Sequence, residues 1–188
     1  MTPSPAAGRP DDLVAEAQAL LGGTGGWWAS VLLDVDAAPD AVPAGTRRLL
    51  LRRPLMAVPA GVRAETADGA LLASGLGDDL APALHALLDP LALVTGLPWA
   101  AGTLPGADRR HAAAALELTD ADAVDEAGRA ALRCAVAGAP SGVRSLVLDR
   151  DSGLPLVAAA ADGTVVWRVD VAALDPRVED EVFRPEQP

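Results

Sequence analysis

Residues 130–171 read AALRCAVAGAPSGVRSLVLDRDSGLPLVAAAADGTVVWRVDV, and this stretch decides the fold. Four short apolar segments alternate here with turn-forming residues: Ala130–Val136, Val143–Leu148, Leu156–Ala160 and Val165–Val171. Proline, glycine and aspartate supply the backbone angles of tight turns, and strands joined by such short connections pair antiparallel. The chain is therefore predicted to end in a β-meander. Some of its strands are apolar on both faces, so each face needs a covering element.

The first half of the chain predicts a second meander of about four strands. Its segments are Trp27–Asp36, Thr46–Arg53, Val62–Thr66 and Ala70–Ala73. Alternation of apolar and polar residues, with glycine and proline between the segments, is typical of such strands.

Helices are predicted outside the two meanders. Leucines at helical spacing predict a helix over Asp12–Leu21, capped by Asp11 or Asp12, and a helical insert over Asp78–Leu97 that restarts at Asp89-Pro90. The segment His111–Leu118 is compatible with a helix or with a strand. Antiparallel strand groups with segregated helices indicate an α+β fold.

Length and charge limit the organisation and the partners. The 188 residues predict a disordered tail over 1–10 and a single domain over 11–185. The net charge of −11 opposes binding to nucleic acid and to anionic lipid surfaces.

Localisation signals are not visible in the sequence. No apolar run is long enough to span a bilayer, and residues 1–10 contain no apolar signal core or lipidation cysteine. We expect a cytoplasmic protein, although a chain trimmed of its signal would look the same. The single cysteine, Cys134, lies in the middle of a strand and is expected to be a small buried residue.

No residue pattern predicts a reaction. The two histidines, His85 and His111, are too few for a three-histidine metal site, and no serine lies in a nucleophile elbow. We therefore predict no catalytic residue, no metal and no cofactor. An enzyme would be indicated by an isolated carboxylate or His111 pointing into an apolar pocket.

Four tryptophans are the largest side chains available for packing. Trp27 and Trp28 open the first strand, so one is expected on each side of the sheet, and Trp99 follows the insert. Two interpretations stay open: either these rings and Trp167 fill the core, or Trp99 and one ring of the Trp27-Trp28 pair surround the mouth of a pocket.

Several motifs of the second half resemble those of a known superfamily. These are LDPLALVTGL over 88–97, AGRAALR over 127–133, LVLDRDSGLPL over 146–156, and the ending from Asp175 to VFRP over 182–185. In these motifs the chain resembles the LolA-like and LppX/LprG half-barrel superfamily, which includes lipoprotein carriers and the sigma-E sensor, and in particular its actinobacterial members. The resemblance implies a strongly curved antiparallel sheet, a half-barrel whose concave face is covered by an N-terminal helix and a helical insert.

Two functions follow from this resemblance. The first is non-enzymatic binding of a hydrophobic small molecule or lipid-like chain in the half-barrel cavity. The candidate cavity residues are Trp27, Trp28, Val31, Leu33, Leu84, Leu88, Leu91, Trp99, Trp167 and Val169. The alternative is a regulatory or assembly module that binds a partner protein through the same apolar groove, with a homodimer left open.

Overall fold

A computed structural model describes residues 9–22, 28–96 and 116–184 of the chain. Residues 1–8 of the tail predicted over 1–10 lie outside these ranges, as do residues 111–115 of the segment His111–Leu118. Pro10 belongs to a helix, and Glu117 and Leu118 to a strand. Three helices are described: α1 (Pro10–Leu21), α2 (Pro82–His85) and α3 (Pro90–Thr95). The strands are β1 (Ser30–Ala37), β2 (Arg48–Arg52), β3 (Gly61–Glu65), β4 (Leu71–Leu76), β5 (Glu117–Glu126), β6 (Arg129–Ala137), β7 (Val143–Asp149), β8 (Pro155–Ala160) and β9 (Val165–Leu174). Short 3-10 helices span Gly77–Asp79, Ala86–Leu88 and Asp180–Phe183.

The nine strands form one curved antiparallel sheet in the order β4-β3-β2-β1-β9-β8-β7-β6-β5. Both predicted meanders are confirmed, and β1 joins them by pairing with β9. The predicted α+β half-barrel is therefore confirmed. The strands β4 and β5, which follow one another in sequence, lie at opposite edges, so the connection between them must cross the whole sheet.

The described part of this connection, up to Gly96, packs on one face of the sheet, which we call the inner face. Its helix α2 contacts β4, and α3 contacts β8. The N-terminal helix α1 packs against β5 and β6 with its buried residues Leu13, Ala17, Leu20 and Leu21. These elements and the inner face form the main hydrophobic core.

The predicted restart of the insert at Asp89-Pro90 is confirmed. The part before it differs from the predicted helix, because it is itself broken into short pieces. Pro82 and Pro90 each stand at the first position of a new helix. A proline lacks the amide proton for a helical hydrogen bond and disfavours helical geometry in the residue before it. Asp89 accordingly leaves the helical region and caps α3 by accepting a hydrogen bond from the amide of Ala92 at 3.2 Å.

The start of α1 was also predicted incorrectly. The helix begins at Pro10, and Arg9 occupies the capping position without a side-chain hydrogen bond. Asp11 and Asp12 lie in the first turn instead of capping it. Carboxylates there still interact favourably with the positive end of the helix dipole.

The strand β1 begins at Ser30 and not at Trp27. The amides of Ala29 and Ser30 donate to Oδ1 of Asp175, at 2.6 and 3.1 Å. Trp28 therefore lies just before the strand, and the strict alternation expected for Trp27 and Trp28 does not apply. Trp27 lies outside the described residues.

Candidate functional site

The predicted cavity residues on the sheet all lie on the inner face. Val31 and Leu33 are in β1, and Trp167 and Val169 are in the neighbouring β9. All four are at most 2% exposed. The indole Nε1 of Trp167 donates to the carbonyl oxygen of Pro155 at 2.7 Å, which satisfies its buried polar atom.

The predicted lid residues are packed into the same core. Leu88 and Leu91 are at most 1% exposed, and Leu84 is partly buried against them. Side chains buried to this degree contact other protein atoms and not solvent, as in a densely packed core. The leucines of the insert therefore pack with the inner face of the sheet in the main hydrophobic core.

Of the three remaining tryptophans of the candidate set, only Trp28 lies within the described residues. Trp28 is 1% exposed, and the guanidinium carbon of Arg53 lies 4.0 Å from the centre of its ring. This geometry is a cation–π contact on a core aromatic residue. Trp99 lies outside the described residues, as does His111.

Two shallow depressions lie away from the candidate cavity. The larger, about 260 Å³, is formed by the loop between β1 and β2, and the second, about 220 Å³, adjoins it around Asp34 and Thr66. Arg47 borders both, but its Nη1 already donates to the carbonyl oxygens of Val35 and Asp36. Neither depression contains a candidate cavity residue, and neither presents a reactive group.

The titratable side chains of the described residues likewise form no cluster typical of a metal site. Within residues 9–22, 28–96 and 116–184, no three side chains of histidine, cysteine, aspartate or glutamate come together as a metal site. His85 ends α2 and is partly buried. None of the helices in the same ranges has the length and apolarity needed to cross a bilayer.

The thiol of Cys134 is buried on the inner face of β6. Burial, with a smaller contribution from the charge of Asp120, raises its pKa from 9.0 to about 12. The thiolate is the reactive form, so the thiol is inert at neutral pH. Because the pKa is raised on folding, this group stabilises the fold below pH 9 and the contribution is lost as the pH rises through about 12.

We therefore expect Cys134 to react with Ellman's reagent only after unfolding. At pH 8 the native protein should release no thionitrobenzoate over the time in which the protein in guanidinium chloride releases one equivalent. Fast reaction of the native protein would contradict the burial of this side chain.

An exposed apolar loop between β2 and β3 was not recognised from the sequence. The amide of Leu55 donates to the carbonyl oxygen of Val58 at 3.1 Å, and the reverse bond measures 2.8 Å, so Met56 and Ala57 form the end of a tight turn. We call Leu55, Met56, Ala57 and Val58 the apolar tip. All four are exposed, and Met56 is fully so.

The backbone of the apolar tip is unusual. Met56 has a φ of 52°, a left-handed conformation that favours glycine and asparagine over a long side chain. Strained backbone is retained where the surrounding structure imposes it and is often found at functional sites. The available sequence signal was an uncharged apolar run held between Pro54 and Pro59.

Comparison with known proteins supports the fold. No protein-family model matches the chain, and no curated protein does. Among solved structures, the chain is similar to the crystal structure of MucB, with 16% identity and a TM-score of 0.50 over 95% of this chain and 64% of that one. A structure of MucB in complex with MucA(peri) gives 16% identity and a TM-score of 0.42 over 94% and 60% of the two chains. The chain thus spans less than two thirds of the length of MucB, and at this identity the likeness is one of fold.

Proposed function

We propose that this chain is a regulatory or assembly module that binds a partner protein. The observation that carries the proposal is the burial of the candidate cavity residues, because the leucines of the insert pack with the tryptophan of β9 in the main core. Exposed apolar surface is instead available at the apolar tip, where a protein pocket can bury it.

The docking surface proposed here is therefore the apolar tip and not the inner groove. The fully exposed Met56 at the end of this hydrogen-bonded turn is a suitable anchor, because its burial in a partner's pocket would remove apolar surface from water. The net charge of −11 favours a protein over an anionic membrane as the occupant. The cytoplasmic location expected from the sequence stays a prediction, which fractionation of the source cells checks.

Replacing Met56 with glutamate should separate binding from folding. We expect M56E to change the free energy of unfolding by less than about 0.5 kcal/mol, because the side chain contacts nothing that folding buries. Partner affinity should fall about tenfold or more, as for an interface anchor. The partner is identified by capture from the source cells on wild-type protein, then purified and titrated by calorimetry against wild type and M56E.

Val165→Glu is the matched control for this titration. Val165 is also an exposed apolar residue, but it lies in β9 and outside the apolar tip. Equal loss of affinity in both variants would contradict a docking surface at the tip.

A second measurement distinguishes this proposal from lipid carriage. Protein purified without detergent is weighed by native mass spectrometry and then extracted with organic solvent. We expect the bare mass of the chain and no stoichiometric lipid. A lipid released in equal amount would show that the leucines of the insert move aside, and would favour the hydrophobic-ligand function instead.

A further inference from the structure

The two edges of the sheet differ in how they are protected against the addition of a further strand. Among the ten residues of β5, five carry carboxylates: Glu117, Asp120, Asp122, Asp125 and Glu126. The strand β4, with sequence LLASGL, carries no charge. Natural sheets commonly place charges on edge strands to prevent a further strand from adding. The edge at β5 has this protection and is flanked by α1, whereas β4 has none.

The register of β4 shows which backbone groups face outward. Gly77 donates to the carbonyl oxygen of Ala60 at 2.7 Å, which makes these two residues a hydrogen-bonded pair. Hydrogen-bonded pairs alternate along an antiparallel ladder, so Gly75 faces β3 while Ser74 and Leu76 direct their amides and carbonyls away from it. In the described part of the chain, β4 pairs with β3 alone.

Both faces of β4 are already covered, which leaves the edge as its open side. A methyl group on Gly75 would lie 3.0 Å from the side chain of Leu80, so Leu80 packs directly on the inner face of the strand. The C-terminal 3-10 helix contacts β3 and β4 on the opposite, outer face. Leu72 and Val182, each 38% exposed, provide apolar surface beside the edge.

One polar atom of β4 lacks a partner. The hydroxyl oxygen of Ser74 is buried, and no hydrogen bond satisfies it within the described structure. An unpaired buried hydroxyl costs free energy, and a hydroxyl directly opposite it on an added strand is within reach of a cross-strand bond.

Carboxylates lie at both ends of the β4 edge. Asp68 lies in the turn before β4, where the hydrogen bond from Thr66 lowers its pKa and keeps it ionised. Asp78 and Asp79 follow the strand, and both are exposed. The nearby Arg63 does not neutralise them, because it pairs with Glu65 and donates to the carbonyl oxygen of Val182.

This charge pattern selects between possible occupants. A second copy of the chain added through β4 about a two-fold axis would be antiparallel, which places Asp68 of one copy against Asp78 and Asp79 of the other. Like charges directly opposite each other are destabilising. A segment with basic residues at its ends meets opposite charge at both ends of β4 instead.

We propose that the free edge of β4 receives an extended segment of a partner protein as a tenth strand, with arginine or lysine on either side of an uncharged, β-prone centre. The six residues of β4 span roughly 20 Å, so the segment needs about five residues between its basic ends. This proposal rests on the partner-binding function and names the part of the partner that binds. The apolar tip adjoins this edge, since Pro59 lies 3.4 Å from where a methyl group on Gly77 would stand.

The probe is a synthetic, dye-labelled peptide with two arginines at each end and alternating valine and threonine between them. We expect its fluorescence anisotropy to rise on addition of the protein, and hydrogen exchange at the amides of Ser74 and Leu76 to slow when it is bound. A peptide with alternate backbone amides methylated keeps its side chains but loses edge hydrogen bonds, and should bind about tenfold more weakly. A peptide with glutamates in place of the arginines should not bind.

Two charge variants of the protein test the choice of occupant. Asp78→Asn with Asp79→Asn should weaken the arginine peptide about threefold to tenfold and reduce the effect of salt on its affinity. Glu117→Gln with Asp122→Asn removes the same charge from the opposite edge and should leave the affinity within about twofold, since both side chains lie a whole sheet away.

The outcomes separate this proposal from the broader function. If the purified partner binds and M56E weakens it, but the peptide fails to protect Ser74 and Leu76, the edge proposal is wrong and the partner-binding function stands. If the peptide binds at β4 but no partner protein is captured, the edge can accept a basic strand, but the partner-binding function fails and the proposed occupant fails with it. A dimer whose Ser74 and Leu76 amides are protected without peptide would overturn the proposed occupant.

Discussion

Replacing Asp149 with alanine is expected to lower the free energy of unfolding by about 3 kcal/mol, at the low end of the range for breaking a buried ion pair. The carboxylate is fully buried, and its two oxygens accept from Nε and Nη2 of Arg129 at 2.8 and 2.9 Å. The amide of Ser152, at 3.0 Å, and its hydroxyl also donate to the carboxylate. Arg129 donates to Asp149, and this hydrogen bond raises the pKa of Arg129 further. The guanidinium stays charged after the substitution because the ordinary pKa of arginine is already far above neutral pH.

The expected decrease in the free energy of unfolding arises from polar groups left without partners. It does not arise from the change in surface charge of the hairpin. Without Asp149, four donors in the turn between β7 and β8 and at the start of β6 must find water. Arg129 is 25% exposed and can recover part of its solvation, which is why the lower end of the range applies. Asp151→Asn is the control, because its carboxylate is 77% exposed and 3.9 Å from Arg129.

Guanidinium unfolding monitored by tryptophan fluorescence measures both variants. D151N should stay within about 0.5 kcal/mol of the wild type, as exposed pairs usually do. If D149A also stays within that margin, the motif LVLDRDSG is not a structural clamp, and its buried carboxylate would need another role.

The strands were predictable because turn chemistry is local. Asp162-Gly163 and the segment 149–153 determine where β8 and β9 begin, whatever the rest of the chain does. The pairing of β1 with β9 was not available from such signals, since it joins residues about 140 positions apart in sequence. It depends on Asp175, whose positive φ and carboxylate hold the start of β1 against the end of β9.

The candidate site shows that an apolar sequence pattern predicts which residues cluster but not whether they enclose a cavity. The sequence identified Leu88, Leu91, Trp167 and Val169 as apolar residues of one region, and the structure brings them into one cluster. Whether such a cluster surrounds a void or fills it depends on how closely the insert approaches the sheet, and hydrophobicity carries no information on that distance.

The apolar tip was overlooked for a related reason. Pro54 and Pro59 indicated a break, and a break between strands is usually a polar turn. A two-residue turn with Met56 at positive φ is rare enough that no sequence rule anticipates it. An uncharged run of four residues between two prolines was the signal that was present.

Replacing Phe183 with alanine should lower the free energy of unfolding by about 3 kcal/mol, as for other buried phenylalanines. This side chain anchors the C-terminal segment on the outer face and is fully buried there. Its ring lies against the backbone of Gly61, and the guanidinium carbon of Arg52 stands 4.7 Å from the ring centre. Arg52 also bonds to the carbonyl oxygen of Val178 and to Asp180, so losing the ring loosens the whole segment.

The contact with Gly61 allows a sharper test by double-mutant cycle. A methyl group on Gly61 would lie 2.7 to 2.8 Å from the ring of Phe183, closer than carbon atoms approach, so Gly61→Ala should cost about 2 kcal/mol through overpacking. In the Phe183→Ala background the same methyl group enters the space that the ring has left. It should then cost nothing or stabilise, which gives a coupling of about 2 kcal/mol or more. Val182→Ala, at a 38% exposed neighbour in the same segment, is the control and should cost less than about 1 kcal/mol. Additive losses in the double variant would mean that Phe183 does not lie on Gly61 in solution.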